Sequence, residues 1–470
     1  MRKLLFVLAL AMLPSRFAHA APHFKHIILI IQENRTVDNL FGSNPTFEPG
    51  VDIATSGVTS KGKVIPLQPE PLTSCYDPAH SHTAFEGEWT IGFDIEEYSV
   101  HAGCTVPADA AYGYVDNSAG QVQPYFDIAE AYGFANRMFQ TNEGTSYIAH
   151  QFLFSGTSAP KTDSALMMDN SGDISGGGVG CAALKAQRVK VLGPDGKIDG
   201  PPVFPCINHP TMSDVLEANG VTWRYYTPKM GGAWSGPDSI KHICGPVPYN
   251  SEHDACEGAD YAAHMSLGNP AQVLTDIANC DLQNVTWVIP TAQDSDHAGS
   301  NDGSGPAWVA SIINAIGDQT TCPGGEDFWK DTAIFVTWDD WGGFYDHVAP
   351  FNVRLATSVH DLKWGDGETY GFRVPLLVVS AYTPAGYVDN GTQDFGSLLY
   401  FIEQNFGLGF IGPGTSTFTK YADYQAAVRG ASLKGFFTRS TPRPFIQIPS
   451  PLPPSYFIDM KNANIGPDND

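Results

Sequence analysis

The chain has few positive charges, and after its first residues it has no long apolar run. Its 470 residues include 26 Lys and Arg against 50 Asp and Glu, a formal net charge of −24. Such an acidic chain repels phosphate backbones and anionic lipid head groups at long range, so nucleic acid is not an expected partner. No segment beyond residue 20 offers about 18 uninterrupted apolar residues, so a stable membrane anchor is not expected either.

Several familiar motifs are also missing. No P-loop pattern GxxxxGK[ST] is present, and the segment 144–148, Gly-Thr-Ser-Tyr-Ile, does not satisfy the GxSxG elbow of serine esterases. The eight cysteines show no CxxC spacing, which favours disulfides over a zinc site in an exported chain. Their pairing stays open, although three short intervals suggest local bridges: Cys75/Cys104, Cys181/Cys206 and Cys244/Cys256.

The first 20 residues have the pattern of a secretory signal peptide. Arg2 and Lys3 precede an apolar stretch, and Ala18-His19-Ala20 is a small-x-small cleavage site. We therefore expect export to the periplasm or the extracellular space. The remainder is expected to divide into one catalytic domain, residues 21–440, and a proline-rich C-terminal tail, residues 441–470.

Continuous apolar runs predict the strands of an α/β fold. The runs at 26–31, 285–289, 332–337 and 374–380 lack polar alternation, which is typical of strands buried on both faces of a mostly parallel sheet. Helix-like segments at 214–219, 307–316 and 395–406 are each followed or ended by glycine. The order of strands and helices indicates an α/β domain with long loop insertions.

Polar clusters follow three of the predicted strands. Glu33 and Asn34 follow the first, His297 ends the cluster Asp-Ser-Asp-His after the second, and Asp339 and Asp340 follow the third. Because the carboxyl ends of parallel strands meet at one edge of a sheet, these side chains are expected to converge there. Clustered carboxylates repel one another unless a cation is bound, which favours a hard divalent ion. The alternative is a solvated turn and a capped helix start.

Hydroxyl and imidazole groups complete the candidate site. Thr145 and Ser146 precede a helix-like apolar run, where the helix N-terminus favours an alkoxide or a bound phosphate. The alternative is that one of them only caps the helix. His80, His242 and His297 lie in polar segments and become informative only together with the acidic clusters.

Together these motifs resemble the bacterial phosphoesterases, a family that includes secreted acid phosphatases and phospholipases C and is related to alkaline phosphatase. Residues 26–42, HIILIIQENRTVDNLFG, look like the family's strand followed by ENR(S/T)xDxxFG. Residues 337–348, TWDDWGGFYDHV, are similar to its TxDxxGGFYDHV block. Shorter blocks match at 77–80, 235–243, 295–297, 372–380 and 396–403.

The resemblance implies a three-layer alkaline phosphatase-like fold, with a central, mostly parallel sheet and helices on both faces. It also implies one divalent ion, Mg²⁺, Ca²⁺, Mn²⁺ or Fe²⁺, with these ligands: Glu33, Asn34, Ser146, Asp339 and Asp340. The family's nucleophile register falls on Ser146, with Thr145 as the one-residue alternative. The expected substrate-binding residues are Asn34, His80, His242 and His297, and the three histidines are also expected to act in catalysis.

The implied activity is hydrolysis of a small phosphate ester or a phospholipid. A secreted acid phosphatase acting through a phosphoserine is the first expectation, phospholipase C action on phosphatidylcholine-type lipids is the alternative, and a non-catalytic binding protein is a remote third. The chain departs from its relatives at Asn39, usually histidine, and at Ala298, usually proline. Residues 148–150, Ile-Ala-His, stand where relatives have Pro-Asn-Arg. His347 belongs to a matching block and is expected to be structural or to lie behind the site.

Overall fold

The computed structural model describes residues 22–162, 164, 166–169, 178–193, 196–348, 370–412 and 421–460. The predicted signal peptide and residues 461–470 of the predicted tail lie outside this range. None of the helices in the described segments combines the length and apolar composition needed to cross a bilayer.

One eight-stranded sheet forms the centre of the described part of the chain. Its strands in chain order are β1 (His26–Gln32), β2 (Gly133–Ala135), β3 (Trp223–Thr227), β4 (Met265–Leu267), β5 (Val285–Val288), β6 (Thr332–Trp338), β7 (Leu376–Val379) and β8 (Tyr387–Asp389). Their spatial order is β4-β3-β5-β1-β6-β7-β2-β8. All neighbouring pairs are parallel except those of β7, which is antiparallel to both β6 and β2. The prediction of a mostly parallel sheet is confirmed.

The two central strands explain why this sheet needs cover on both faces. Every residue of β1 and β6 is buried. They pair in parallel, with Ile27 opposite Ala333 and Ile31 opposite Thr337. Since successive side chains of a strand point to opposite faces, complete burial requires packing against each face.

Helices supply this cover. They are α1 (Val37–Phe41), α2 (His82–Thr90), α3 (Gln123–Ala131), α4 (Ser146–Ser155), α5 (Met212–Ala218), α6 (Lys241–Cys244), α7 (Ala259–His264), α8 (Gln272–Ala278), α9 (Gly305–Asp318), α10 (Phe328–Asp331), α11 (Phe395–Phe406), α12 (Ala422–Arg429) and α13 (Pro454–Ile458). Helix α9 packs against α3, α8 and α10, whereas α11 packs against α4 and α12. The predicted helices at 214–219, 307–316 and 395–406 correspond to α5, α9 and α11.

Small ribbons and short 3-10 turns decorate the sheet. The described two-stranded ribbons are Ser56–Val58 with Val64–Pro66, Gln68–Glu70 with Gly113–Val115, Tyr76–Pro78 with Tyr98–Val100, Met138–Phe139 with Gln393–Asp394, Met167–Asp169 with Lys190–Leu192, and Pro246–Pro248 with Asp254–Cys256. The 3-10 turns are Phe93–Ile95, Ala110–Tyr112, Pro237–Ser239, Pro323–Gly325 and Leu433–Phe436. Three of the ribbons lie between α1 and α3, as expected for a long insertion.

All eight cysteines form disulfides. The bonds are Cys75–Cys104, Cys181–Cys206, Cys244–Cys256 and Cys280–Cys322. The first three follow the short sequence intervals, and the fourth links the remaining two cysteines. Disulfide bonding, rather than a zinc site, is thus what the structure shows.

The proline-rich segment after residue 440 packs on the domain surface. Asn314 on α9 donates to the carbonyl oxygen of Ile448 at 2.9 Å and accepts from its N–H at 2.9 Å. Regular structure returns only in α13, which contacts α8 and α9.

A buried pair of carboxyl groups joins α11 to α12. Glu403 and Asp423 are 2% and 0% exposed, and each carboxyl group influences the pKa of the other. Burial, with the neighbouring carboxyl group, raises the pKa of Glu403 to about 11, and burial raises the pKa of Asp423 to about 6. The folded protein therefore holds protons that the unfolded chain releases above about pH 4.5. This difference lowers stability as the pH rises from that value.

We expect Glu403→Gln to stabilise the protein at pH 7.5 by about 1–3 kcal/mol and to change its stability little at pH 4.5. Glutamine copies the neutral carboxyl group but has no proton to release on unfolding. Urea denaturation of wild type and variant at both pH values measures the difference. Glu252→Gln, at an exposed position, is the matched control. An equal effect of Glu403→Gln at both pH values would contradict the protonated pair.

Candidate active site

The ends of β1 and β6 place four of the predicted residues side by side. Glu33 and Asn34 follow β1, and Asp339 and Asp340 follow β6; all four are fully buried. Asp339 continues the strand pairing, because its N–H donates to the carbonyl oxygen of Gln32 at 3.0 Å. The parallel sheet thus brings two segments about 300 positions apart in the sequence to one point.

Backbone N–H groups fix the two aspartates. Asp339 Oδ1 accepts from the N–H of Asn34 at 3.0 Å and from the N–H of Asp340 at 2.8 Å. Asp340 Oδ1 accepts from the N–H of Gly342 at 2.8 Å. These bonds leave the second oxygen of each carboxylate turned toward other groups of the site.

The glycine after the aspartate pair is needed for close packing. Asn34 has a φ of 60°, in the left-handed region that asparagine tolerates better than most residues. Gly342 also has a φ of 60°, and a Cβ there would lie 2.4 Å from the carbonyl oxygen of Asn34. A larger residue at 342 would push the two strand ends apart.

Ser146 is the first residue of α4 and points into this cluster. Its Oγ lies 3.1 Å from Asp340 Oδ2 and 3.3 Å from Asn34 Oδ1. Thr145 is the N-cap residue, and its side chain makes no capping hydrogen bond. The hydroxyl of Ser146 therefore bonds to site residues and not to the helix end.

His150, one turn further along α4, also faces the cluster. Its Nε2 lies 3.2 Å from Glu33 Oε1 and 3.7 Å from Asp339 Oδ2, and all three side chains are fully buried. Asp339 Oδ2 accepts no hydrogen bond from the described residues. Three carboxylates and one imidazole thus share a space without water contact, where like charges repel strongly.

Two sets of donor atoms, one around Ser146 Oγ and one around His150 Nε2, are each spaced as a bound ion would require. Two atoms each about 2.1 Å from one ion lie at most about 4.2 Å apart. The four separations given above, between 3.1 and 3.7 Å, all satisfy this limit. The buried acidic and histidine side chains therefore fit a bound metal ion.

Two of the predicted histidines lie beside Asn34. His80 Nε2 is 3.1 Å from Asn34 Nδ2, and the rings of His80 and His297 are 5.7 Å apart. His80 Nδ1 lies 2.8 Å from the carbonyl oxygen of Pro78, and His297 Nδ1 lies 2.7 Å from the carbonyl oxygen of Ala298. Because Nδ1–H donates to the carbonyl oxygen, the Nε2 atom of each ring points away from that carbonyl group. Asp77 joins them, with ligand atoms of the three residues within 4.8 Å of one another.

His242 lies in a different environment. Its Nδ1 is 2.8 Å from Asn208 Oδ1 and its Nε2 is 3.2 Å from Asp214 Oδ1, and the side chain is 33% exposed. The hydrogen bond and charge of Asp214 raise the pKa of His242. Both ring nitrogens are thus engaged with α5 and its preceding loop, so the structure does not bring His242 together with Ser146.

A buried network of charged side chains holds the segment 337–348, TWDDWGGFYDHV, in place. Arg373 donates to both oxygens of Asp346, at 2.7 and 3.0 Å, and to Asp38 at 3.2 Å. His347 Nδ1 lies 2.8 Å from Asp38 Oδ2. Burial alone would lower the pKa of His347, but the hydrogen bond and charge of Asp38 raise it overall. His347 therefore belongs to this network, which packs between β7 and α1.

The carboxyl group next to His297 is held by neutral donors. Asp296 Oδ2 accepts from the Tyr125 hydroxyl at 2.8 Å and from Trp338 Nε1 at 2.9 Å. Burial raises the pKa of Asp296 to about 6, although the nearby Arg35 guanidinium opposes this shift. These bonds anchor the segment that carries His297 to β6 and α3.

The sequence motifs did not predict His150 or Asp77 as site residues. His150 had a usable signal, because it stands four positions after Ser146 and therefore on the same face of α4. Ile148, between Ser146 and His150 in the sequence, lines a small pocket together with Asn142, Phe152, Met168 and Leu192. For Asp77, the usable signal in the sequence was its position three residues before His80.

The chain is similar to known proteins. The model of the Phosphoesterase family matches residues 24–409. The chain is 24% identical to the non-hemolytic phospholipase C of Burkholderia pseudomallei, over 85% of this chain and 57% of that protein. It is 29% identical to phospholipase C B of Mycobacterium tuberculosis, over 46% of this chain and 44% of that protein. The chain thus spans about half the length of these curated relatives.

Solved structures show a distant likeness. A protein in the alkaline phosphatase superfamily from Vibrio parahaemolyticus has a TM-score of 0.35 and 10% identity, over 83% of this chain and 67% of that one. Murine ectonucleotide pyrophosphatase/phosphodiesterase 5 has a TM-score of 0.33 and 12% identity, over 66% of this chain and 96% of that one. The family model covers most of the chain, and the protein therefore belongs to the Phosphoesterase family.

Proposed function

We propose that the protein is a phosphoric ester hydrolase with Ser146 as its nucleophile. The observation that carries this proposal is the position of the Ser146 hydroxyl, at the N-terminus of α4 and 3.1 Å from Asp340. A serine that only capped the helix would have no reason to lie among the buried carboxylates of two distant strand ends. Membership of the Phosphoesterase family supports the same chemistry.

One divalent ion is part of the proposal, with Glu33, Asn34, Ser146, Asp339 and Asp340 as its ligands. Oxygen donors of this kind suit Mg²⁺, Ca²⁺, Mn²⁺ or Fe²⁺. When bound, such an ion offsets the negative charge of the carboxylates and of the phosphoryl oxygens and lowers the pKa of a ligating hydroxyl.

The chain's own residues would then carry the reaction. Ser146 Oγ attacks phosphorus, and the bond to the leaving oxygen breaks on the opposite side. The N–H groups at the start of α4, Asn34 Nδ2 and, in their cationic forms, the imidazoles of His80 and His297 are placed to donate to nonbridging oxygens. His297 is our choice to protonate the leaving oxygen.

Hydrolysis of the phosphoserine completes the cycle. A water molecule gives its proton to the now neutral His297 and attacks phosphorus, and the Ser146 oxygen leaves and takes back from solvent the proton that it released to solvent before its attack. Inorganic phosphate is released when the substrate was a monoester, and a phosphate monoester is released when the substrate was a diester. The histidine is back in its cationic form, so protons balance over the cycle.

Two specific activities are candidates within this class of reaction. The names of the relatives, phospholipase C in each case reported above, favour cleavage of a phospholipid. An acid phosphatase acting on monoesters, which the sequence analysis placed first, is the second candidate because of the Asp339-Asp340 pair and the compact length. A binding protein without catalysis is disfavoured, since binding alone would not require Ser146 beside the ligand set.

We expect Ser146→Ala to lower kcat/KM by at least about 10³-fold on any substrate that the wild type cleaves, because the covalent step is lost. The measurement compares phosphatidylcholine with p-nitrophenyl phosphate for both proteins. Faster turnover of phosphatidylcholine would rank phospholipase C first, and faster turnover of the aryl phosphate would rank the phosphatase first.

Thr145→Ala is the matched control for Ser146→Ala, and we expect only a small effect from it. A phosphorylated Ser146 peptide, detected by mass spectrometry after acid quench, would identify the intermediate directly. Full activity in Ser146→Ala would move the attacking group to Thr145 or to water.

We expect Mn²⁺ to raise the thermal stability of chelator-treated wild type, by about 2.7 kcal/mol at a hundredfold excess over Kd. Asp340→Asn should lose most of this gain, and without metal it should be no less stable than wild type because one repelling charge is gone. Scanning calorimetry with and without the ion measures both effects. Asp199→Asn, at an exposed loop position, is the control. An equal gain in Asp340→Asn and wild type would remove Asp340 from the ligand set.

We expect activity to fall on the alkaline side, because a cationic histidine is needed to protonate the leaving oxygen. The measurement is the pH dependence of kcat/KM between pH 4 and pH 9, with an activated aryl phosphate and an alkyl phosphate. His297→Gln should affect the alkyl ester more, since its leaving oxygen needs the proton more. A rate that rises steadily through pH 9 would contradict this role.

A further inference from the structure

His150 is the residue of the cluster that no earlier assignment explains. It stands within the segment 148–150, which departs from the pattern of related sequences. Four residues after Ser146 on α4, it faces the same side of the helix. Its Nε2 is directed at Glu33 and Asp339, at 3.2 and 3.7 Å, and none of the three side chains is exposed.

We propose that His150 is an additional protein ligand of the divalent ion, through Nε2. The inference rests on the proposed metal centre, since Glu33 and Asp339 must hold the ion that His150 joins. It goes further by adding a nitrogen to a set that otherwise consists of oxygen donors.

The hydrogen bonds around His150 determine which nitrogen is available. The Tyr225 hydroxyl donates to the carbonyl oxygen of Trp234 at 3.1 Å, so toward His150 the Tyr225 oxygen serves as an acceptor. That oxygen lies 3.5 Å from His150 Nδ1. This arrangement favours the neutral tautomer with the proton on Nδ1, which leaves a lone pair on Nε2. Metal-bound histidines commonly have their other nitrogen oriented in this way.

The distances on the Nε2 side of the His150 ring also fit a bound metal ion. Both oxygens facing Nε2 are closer to it than the limit of about 4.2 Å for two ligands of one ion. Asp339 Oδ1 is already occupied by two backbone N–H groups, and Oδ2 is the oxygen turned toward His150. An ion between these atoms would replace repulsion between Glu33 and Asp339 with attraction to both.

A nitrogen ligand changes the expected metal. Oxygen-only sites suit Mg²⁺ and Ca²⁺, imidazole favours transition ions such as Fe²⁺ and Zn²⁺, and Mn²⁺ binds ligands of both kinds. His150 would therefore shift selectivity away from the hard alkaline-earth ions. The competing explanation is an imidazolium that pairs with Glu33 and Asp339 and touches no metal.

Pulsed electron paramagnetic resonance of the full-length protein loaded with Mn²⁺ distinguishes these explanations. Directly bound imidazole gives a nitrogen coupling to the manganese spin. We expect this coupling in wild type, with the change of pattern that ¹⁵N-histidine labelling produces, and its loss in His150→Gln. The matched controls His80→Gln and His297→Gln should retain it.

Titration calorimetry supplies a second measurement. His150→Gln should bind Mn²⁺ and Zn²⁺ about 10–100-fold more weakly than wild type. Its affinity for Mg²⁺ should change much less, because that ion gains little from imidazole. An equal loss for all three ions would overturn the selectivity argument.

The outcomes separate this inference from the proposed function. Manganese bound by wild type without histidine nitrogen overturns the role of His150 and leaves the oxygen-ligand centre intact. No bound manganese in wild type overturns the centre itself, and the inference with it. Coupling that persists in His150→Gln and disappears in His80→Gln or His297→Gln assigns the nitrogen elsewhere. If His150→Gln does not fold, the labelled wild type and the two control variants still decide the question.

Discussion

The carboxylate of Asp339 ties together the two strand ends on which the candidate site is built. One oxygen accepts the N–H groups of Asn34 and Asp340, and the other faces His150. This bridge is possible only because β1 and β6 are adjacent and parallel, so that both chains leave the sheet at the same edge. The left-handed backbone at Asn34 and the glycine at 342 allow the two turns to pack closely enough.

Concentrating carboxylates in a dry site is unfavourable for folding unless their charge is offset. Glu33, Asp339 and Asp340 are fully buried, and uncompensated buried charges are among the most destabilising features that a fold can contain. Sites of this kind persist because the surrounding structure fixes them and function requires them. A bound cation, with His150 beside it, is the compensation that the donor arrangement suits best.

Elsewhere the protein manages buried acids differently. Glu403 and Asp423 have no cation among the groups that shift their pKa values, and Glu403 keeps its proton at neutral pH. Asp38 and Asp346 pair with the buried guanidinium of Arg373. An acidic chain can therefore bury carboxyl groups by protonation, by pairing with arginine, by accepting hydrogen bonds from neutral donors and by clustering around a potential metal site.

The sequence by itself determined the main strands and helices and placed polar residues at the ends of the strands. Unbroken apolar runs identified β1, β5, β6 and β7, because burial on both faces removes polar alternation over a few residues. Motifs in the same segments identified Glu33, Asn34, Asp339 and Asp340, and the resemblance added Ser146. Short intervals suggested three of the four disulfides, because nearby cysteines meet readily.

Only the tertiary structure decided what depends on distant packing. The reversed direction of β7 leaves no mark in its apolar run, since antiparallel and parallel strands can be buried alike. His242 was predicted for the site and His150 was not, yet α4 directs His150 into the cluster while Asn208 and Asp214 hold His242 in a different environment. Their separation from Ser146 is set by how helices dock on the sheet, and that depends on contacts between residues far apart in sequence.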